Sequence, residues 1–205
     1  MIFLKNLRYM AFSLALLLVT PGVWGQNWIG TLGGGDGTTW TDGDNWSTGL
    51  VPEGGDTATF SMPATVDISS NPTVDSLVIT VAGDVTLTGG GTLTVSNDIT
   101  VGGTFSTGTN AITIDGTTTG AGAWTAGAGT VTVGGNFGAT NFTQAGGTLL
   151  LNGTTAAFNP GGNLGSLELG GAAVVTLSDD ITLNGNLTVG GTFSTGTNAI
   201  TIDGT

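Results

Sequence analysis

From residue 61 onward, apolar and polar positions alternate in short runs. Leu93 and Val95, Ile112 and Ile114, Val131 and Val133, Leu149 and Leu151, and Leu167 and Leu169 are each separated by one residue, most often Thr. A period of two places one side of an extended chain in a core and the other toward solvent. The pattern predicts strands at 66–68, 77–81, 85–88, 93–95, 99–101, 111–114, 130–133, 148–151, 164–169, 174–177, 181–183, 187–189 and 199–202. Clusters of Gly, Asn, Asp and Ser punctuate them. No run in this region carries the 3.6-residue apolar period of a helix.

The strongest strands recur every 18–20 residues, at Val95, Ile114, Val133, Leu151, Leu169 and Val189. That spacing is about one turn of a parallel β-helix. The predicted fold is therefore all-β: a right-handed parallel β-helix (β-solenoid) with inward side chains in columns. Phe105, Phe137, Phe142, Phe158 and Phe193 fall between the strong strands, and the reading places them at the corners of the core. An antiparallel sandwich is the competitor. It would use Asn152-Gly153 and Asn184-Gly185 as hairpin turns, but such pairs recur too rarely to organise the chain.

The run TVGGTFSTGTNAITIDGT occurs at 100–117 and again at 188–205, a shift of 88 residues. Fixed-period identity marks a repeat architecture. The likeness extends backwards: Leu93, Thr94 and Val95 become Ile181, Thr182 and Leu183, a substitution expected to keep the inward column. The second copy ends at Thr205, inside a repeat, so the rod is expected to be open there and to continue into further repeats.

Residues 1–25 have a different character. Lys5 and Arg8 precede the short apolar run 10–19, and Val23 and Gly25 are small enough for the −3 and −1 positions. This is the pattern of a secretory signal peptide cleaved before Gln26, and the apolar run is short for a membrane span. The expected product is secreted and exposed at the cell surface, with no membrane span after cleavage. Residues 26–60 hold Trp28, Trp40 and Trp46 with many Gly and Asp, a segment suited to cap the apolar end of a solenoid. Residues 61–205 form the solenoid repeats.

Composition narrows the chemistry. The chain carries 14 acidic residues against 2 basic ones and no His, a net charge of −12. Both basic residues lie in the leader, so the remainder has no Lys, Arg or His. Phosphate neutralisation needs such groups, which argues against nucleic-acid partners. Metal cations are the natural counter-charges. With no Cys, disulfides and thiolate metal sites are excluded.

Two stretches carry a family resemblance. Trp28, Trp40, Asn45-Trp46, Gly49, Val51-Pro52, Asp56, Ala58 and Phe60 resemble the start of β-helical regions in large secreted bacterial surface proteins. The stretch 162–193, GNLGSLELGGAAVVTLSDDITLNGNLTVGGTF, resembles repeats of filamentous-haemagglutinin-like adhesins and autotransporter passengers. The resemblance implies an adhesin-like structural module whose partners are glycans or a host or neighbouring cell surface. It carries no active-site residues to this chain.

The candidate chemistry is sparse. Asp42, Asp44 and Asn45 offer oxygen ligands over a short span and form a calcium candidate, although they do not match an EF-hand loop. The other reading of these acids is turn capping. Asp179-Asp180 is an adjacent carboxylate pair between two strands, formally compatible with glycoside hydrolysis but suited to a turn. β-Helical pectate lyases and polygalacturonases use Arg, Lys or His beside their acids, and this chain has none after the leader, so no enzyme activity is expected. Outward Thr94, Thr113, Thr132, Thr182 and Thr201 offer an alternative function, a ladder binding glycan or ice. Sequons stand at Asn45, Asn141, Asn152 and Asn186.

Overall fold

The computed structural model describes residues 25–204; the expected signal peptide therefore lies almost wholly outside the described residues. The chain is a parallel β-solenoid of about 8 turns with three faces per turn. Strand β1 (Gly25–Asn27) stands first, followed by two single 3₁₀ turns, Gly30–Gly33 and Gly43–Asn45. The next turns run β2 (Thr57–Phe60), β3 (Ala64–Asp67), β4 (Thr73–Val74); β5 (Ser76–Ile79), β6 (Asp84–Thr88), β7 (Thr92–Val95); and β8 (Ile99–Val101), β9 (Thr104–Gly108), β10 (Ala111–Ile114). They continue through β11 (Thr118–Thr119), β12 (Ala123–Ala126), β13 (Val131–Val133), then β14 (Phe142–Gln144), β15 (Thr148–Leu151), β16 (Thr154–Phe158) and β17 (Ser166–Leu169). The last are β18 (Val174–Leu177), β19 (Ile181–Leu183), β20 (Leu187–Val189), β21 (Thr192–Ser194) and β22 (Ile200–Ile202).

The third face is one unbroken sheet in the order β4-β7-β10-β13-β15-β17-β20. Its register sets Val95, Ile114, Val133, Leu151, Leu169 and Val189 in a single column, the column that the 18–20-residue spacing predicts. Leu93, Ile112, Val131, Leu149 and Leu167 form a second column beside it, and all five are fully buried. The first face stacks β1-β2-β5-β8-β11 and continues through Phe137 to β16-β18-β21. The second stacks β3-β6-β9-β12-β14 and continues through bridges at Gly161 and Leu164 to β19-β22.

The strand positions correct the reading of the aromatics. Phe105 lies in β9, Phe142 in β14, Phe158 in β16 and Phe193 in β21: they are strand residues, not corner fillers. Phe105, Trp124 and Phe142 are register partners on successive turns, with ring centroids 5.4 and 5.1 Å apart. On these turns the buried pairs are Phe105 with Thr107, Trp124 with Ala126 and Phe142 with Gln144, so no aliphatic alternation marks the strands.

The duplicated segment is threaded out of phase. Its first copy spans β8 to β10, on the first, second and third faces in turn. Its second copy spans β20 to β22, on the third, first and second. A shift of 88 residues is thus four full turns plus two faces. This also corrects the backward extension. Ile181 and Leu183 remain buried, as Leu93 and Val95 are, but they lie on the second face and not in the third-face column. The backbone of the corner inside the repeat is nevertheless the same at both places. Gly108 and Gly196 adopt φ of 54° and 58°. Asn110 N–H donates to Thr107 O at 2.9 Å, and Asn198 N–H to Thr195 O at 3.0 Å. Turn chemistry is local, so one sequence builds the same corner on whichever face it falls.

Candidate functional site

The Trp-rich segment closes the N-terminal end. Trp28, Trp40 and Trp46 are buried, and their centroids lie 4.9–6.2 Å from one another or from Phe60 of β2. The Trp46 indole N–H donates to Trp40 O at 2.9 Å. The segment also pairs with open backbone edges. β1 runs parallel to β2, and residues 38–40 bond to Asp67, with Asp67 N–H donating to Thr38 O at 2.8 Å and Trp40 N–H to Asp67 O at 3.1 Å. Exposed edges invite strand addition, and here two of the three faces are covered. On the third side Trp40, Val51, Pro52, Pro72 and Thr73 line a shallow cleft of about 280 Å³.

Within this cap the structure separates the three calcium candidates. Asn45 is fully buried. Its Oδ1 accepts from Gly37 N–H at 2.7 Å, and its Nδ2 donates to Asp36 Oδ1 at 2.8 Å and Thr39 O at 2.9 Å. Asp42 accepts from Asp36 N–H at 2.8 Å and Asp44 N–H at 3.1 Å. Asp44 is exposed. Among the described residues no group of three or more acids is arranged to hold a metal ion. The hub of the network is Asp36. Its carboxylate accepts from the Thr39 hydroxyl, from the N–H groups of Thr38 and Thr39 at 2.8 Å each, and from Asn45. The run Asp36-Gly37-Thr38-Thr39 is the local signal for such a turn.

The Thr39 hydroxyl above all, then the Thr39 backbone, the Asn45 amide and the Thr38 backbone hold Asp36 well below the usual carboxylate range. The Ser69 backbone and then its hydroxyl lower Asp67 in the same way. A carboxylate depressed by folding stabilises the fold above its unfolded pKa, about 3.9, and that contribution fades as pH falls below it. The melting temperature is therefore expected to drop between about pH 4 and pH 2, with a smaller drop in Asp36→Asn. Equal pH dependence in the variant would assign the effect to other acids. Asn45→Ala, which strips partners from Asp36, Gly37 and Thr39, should cost on the order of 3 kcal/mol in chemical denaturation.

Other acids serve corners. Asp98 Oδ1 accepts from the Thr117 N–H at 2.7 Å and its hydroxyl at 2.9 Å. Asp179 accepts from Asp180 N–H at 2.8 Å, and Asp180 from Ala199 N–H at 2.7 Å, beside a cleft of about 150 Å³ that Asn159, Asn163 and Thr182 also line. Asp115 and Asp203, at matching places in the two repeats, immediately follow β10 and β22 on different faces.

The outward Thr residues do not make one ladder. Thr94, Thr113 and Thr132 stack on the third face, with Thr73 before them and Leu150 and Glu168 after. Thr182 and Thr201 are partners on the second face. A longer hydroxyl column, Thr65-Thr86-Ser106-Thr125-Thr143, also runs up the second face. Of the sequon residues, Asn45 is sealed in the cap, and Asn141, Asn152 and Asn186 are exposed. The chain matches no protein-family model, no curated protein and no solved structure at a significant level. No helix among the described residues is long and apolar enough to cross a membrane.

Proposed function

We propose that this chain is a secreted, surface-exposed structural module, an adhesin-like β-solenoid that extends and displays without catalysing a reaction. The observation that carries this reading is the out-of-phase repeat. The same residues recur on different sides of the rod with the same backbone turn at Gly108 and Gly196, so the repeat itself assembles no fixed surface site. The corner acids contribute to the same end by capping backbone N–H groups. The leader pattern supports export, and the adhesin and autotransporter-passenger resemblance supports a cell-surface setting with glycan or cell-surface partners.

A spacer tolerates the loss of a turn. Thr118 and Phe137 are bridge partners on adjacent turns, so deleting residues 118–136 joins equivalent positions. The deletion should leave a cooperatively melting solenoid, shorter by about 4.8 Å. Unfolding of the deleted chain would count against a modular rod. A glycan array probed with and without calcium separates display from recognition: saturable binding would move the function to a surface site, and calcium dependence would assign a role to Asp42 and Asp44. Release of reducing ends from a polysaccharide, lost on changing Asp179 or Asp180, would replace the structural reading with an enzymatic one.

A second reading rests on the hydroxyl columns. Two faces present Thr or Ser on four or five successive turns, at the roughly 4.8 Å strand spacing, in a form suited to a neutral glycan or to ice. Thermal hysteresis or ice recrystallisation assays test the ice form, and inactivity at high concentration would end it.

A further inference from the structure

Two Asn-Gly pairs occur in the chain, Asn152-Gly153 and Asn184-Gly185. Glycine after asparagine favours ring closure: with no Cβ in the way, the following backbone nitrogen reaches the side-chain amide carbon. The fold holds the two pairs differently. Both asparagines are exposed, each just past a strand end, after β15 and β19. Both also keep their own N–H in the ladder, Asn152 donating to Val133 O at 2.9 Å and Asn184 to Leu164 O at 2.8 Å. The difference lies one residue on, at the nitrogen that would attack. Gly185 N–H donates to Gly165 O, on the turn before, at 2.8 Å. Gly153 N–H donates to no group among the described residues. Gly135 N–H, the stacked position one turn earlier, still donates to Gly116 O at 2.8 Å.

A ladder carbonyl fixes its N–H and keeps the nitrogen from turning toward the side chain, until the bond opens. A solvent molecule on the same N–H exchanges away freely. Position 153 is also fixed as glycine: a Cβ there would lie 2.2 Å from Gly134 O and 2.4 Å from Gly135 O. The close stacking of turns thus demands the residue that leaves Asn152 open to attack.

We propose that Asn152 is a self-modification site, at which the folded chain converts a side-chain amide to a carboxylate with water as the co-reactant. The Gly153 nitrogen gives up its proton and bonds to Asn152 Cγ, the Cγ–Nδ2 bond breaks, and ammonia leaves with that proton. Water then opens the cyclic imide at one of its two carbonyls, giving aspartate or isoaspartate. One water is consumed for each ammonia released, and nothing is oxidised or reduced. The isoaspartyl form lengthens the main chain by a methylene where β15 leads into β16. Either product adds negative charge to a region, 25–204, that has no basic residue. The site is independent of the proposed structural role.

The test is to incubate the folded chain at mildly alkaline pH, digest it with an acid protease, and read both pairs by tandem mass spectrometry. Conversion at Asn152 should outpace that at Asn184 by roughly tenfold or more, since Gly185 must first open its ladder bond. In denaturant the two should convert at similar rates, because Gly follows both. Asn152→Gln, whose longer side chain closes the ring slowly, should abolish the fast phase of ammonia release and leave the melting temperature unchanged. Equal conversion in the folded chain, or the same preference for Asn152 in denaturant, would overturn the proposal. So would an Asn152 that stays intact in the folded chain and converts only once it is unfolded.

Discussion

Trp124→Ala should lower stability by about 3–5 kcal/mol and the melting temperature by roughly 10 °C or more. Trp124 is completely buried at the centre of the second face. Its ring lies against Phe105 one turn before and Phe142 one turn after, and stacks at 6.5 Å on Phe137 from the first face. Truncation removes the only ring between Phe105 and Phe142 in that column, and the backbone ladders on both sides limit collapse into the space. A solenoid is stabilised turn by turn through nearest neighbours, so a central loss uncouples the two halves of the rod. Circular dichroism melts of the purified variant check this. A loss below about 1 kcal/mol would mean that the ring does not bridge the turns.

Gly120→Val should be at least as damaging, for a backbone reason. Gly120 follows β11 with φ of +108°, a conformation that side chains with a Cβ rarely adopt. A Cβ there would sit 2.0 Å from Val101 O, which also accepts the ladder bond from Gly122 N–H at 2.9 Å. The substitution combines a strained dihedral with a contact against main chain that no rotamer relieves. A cost of about 4 kcal/mol or more is expected, seen as insoluble expression or an early melt. Gly171→Ala makes the control: it has open space around its Cβ position, and it should melt near the parent.

The faces of the solenoid differ in how far they could be read in the sequence. The third face was legible because each of its main strands places two aliphatic residues two apart, and because its column repeats at a near-constant interval. The second face was legible only toward its ends, where the runs 66–68, 85–88, 181–183 and 199–202 overlap β3, β6, β19 and β22. Its middle strands were not: they read Thr104-Phe105-Ser106-Thr107-Gly108 and Ala123-Trp124-Thr125-Ala126, each with one aromatic among small residues. One ring gives no period, and the bulge at Thr107 breaks the alternation further. The phase of the repeat was also invisible, because identity along the chain does not say on which face a segment lands. That depends on the summed lengths of the intervening turns, which vary between 18 and 20 residues.

The cap was half legible. Three Trp residues in a short, charged segment signalled an end cover, and they pack together over Phe60. The run Asp42-Gly43-Asp44-Asn45 read equally as a ligand set and as a turn. Burial distinguishes its members: Asn45 is enclosed and holds Gly37, Thr39 and Asp36 together, and Asp44 faces solvent. Asp36, nine residues from Asn45, could not be linked to it without the fold.

The central claim is that the chain stacks as parallel turns, with core positions meeting partners about 19 residues away. Methyl-methyl nuclear Overhauser effects in a selectively labelled sample test it most directly. The predicted result is a ladder of contacts linking Val95 to Ile114, Ile114 to Val133, Val133 to Leu151, Leu151 to Leu169 and Leu169 to Val189, with Ile181 linked to Ile200 across the displaced repeat. Antiparallel contacts reflected about Asn152-Gly153 or Asn184-Gly185, in place of that ladder, would contradict it.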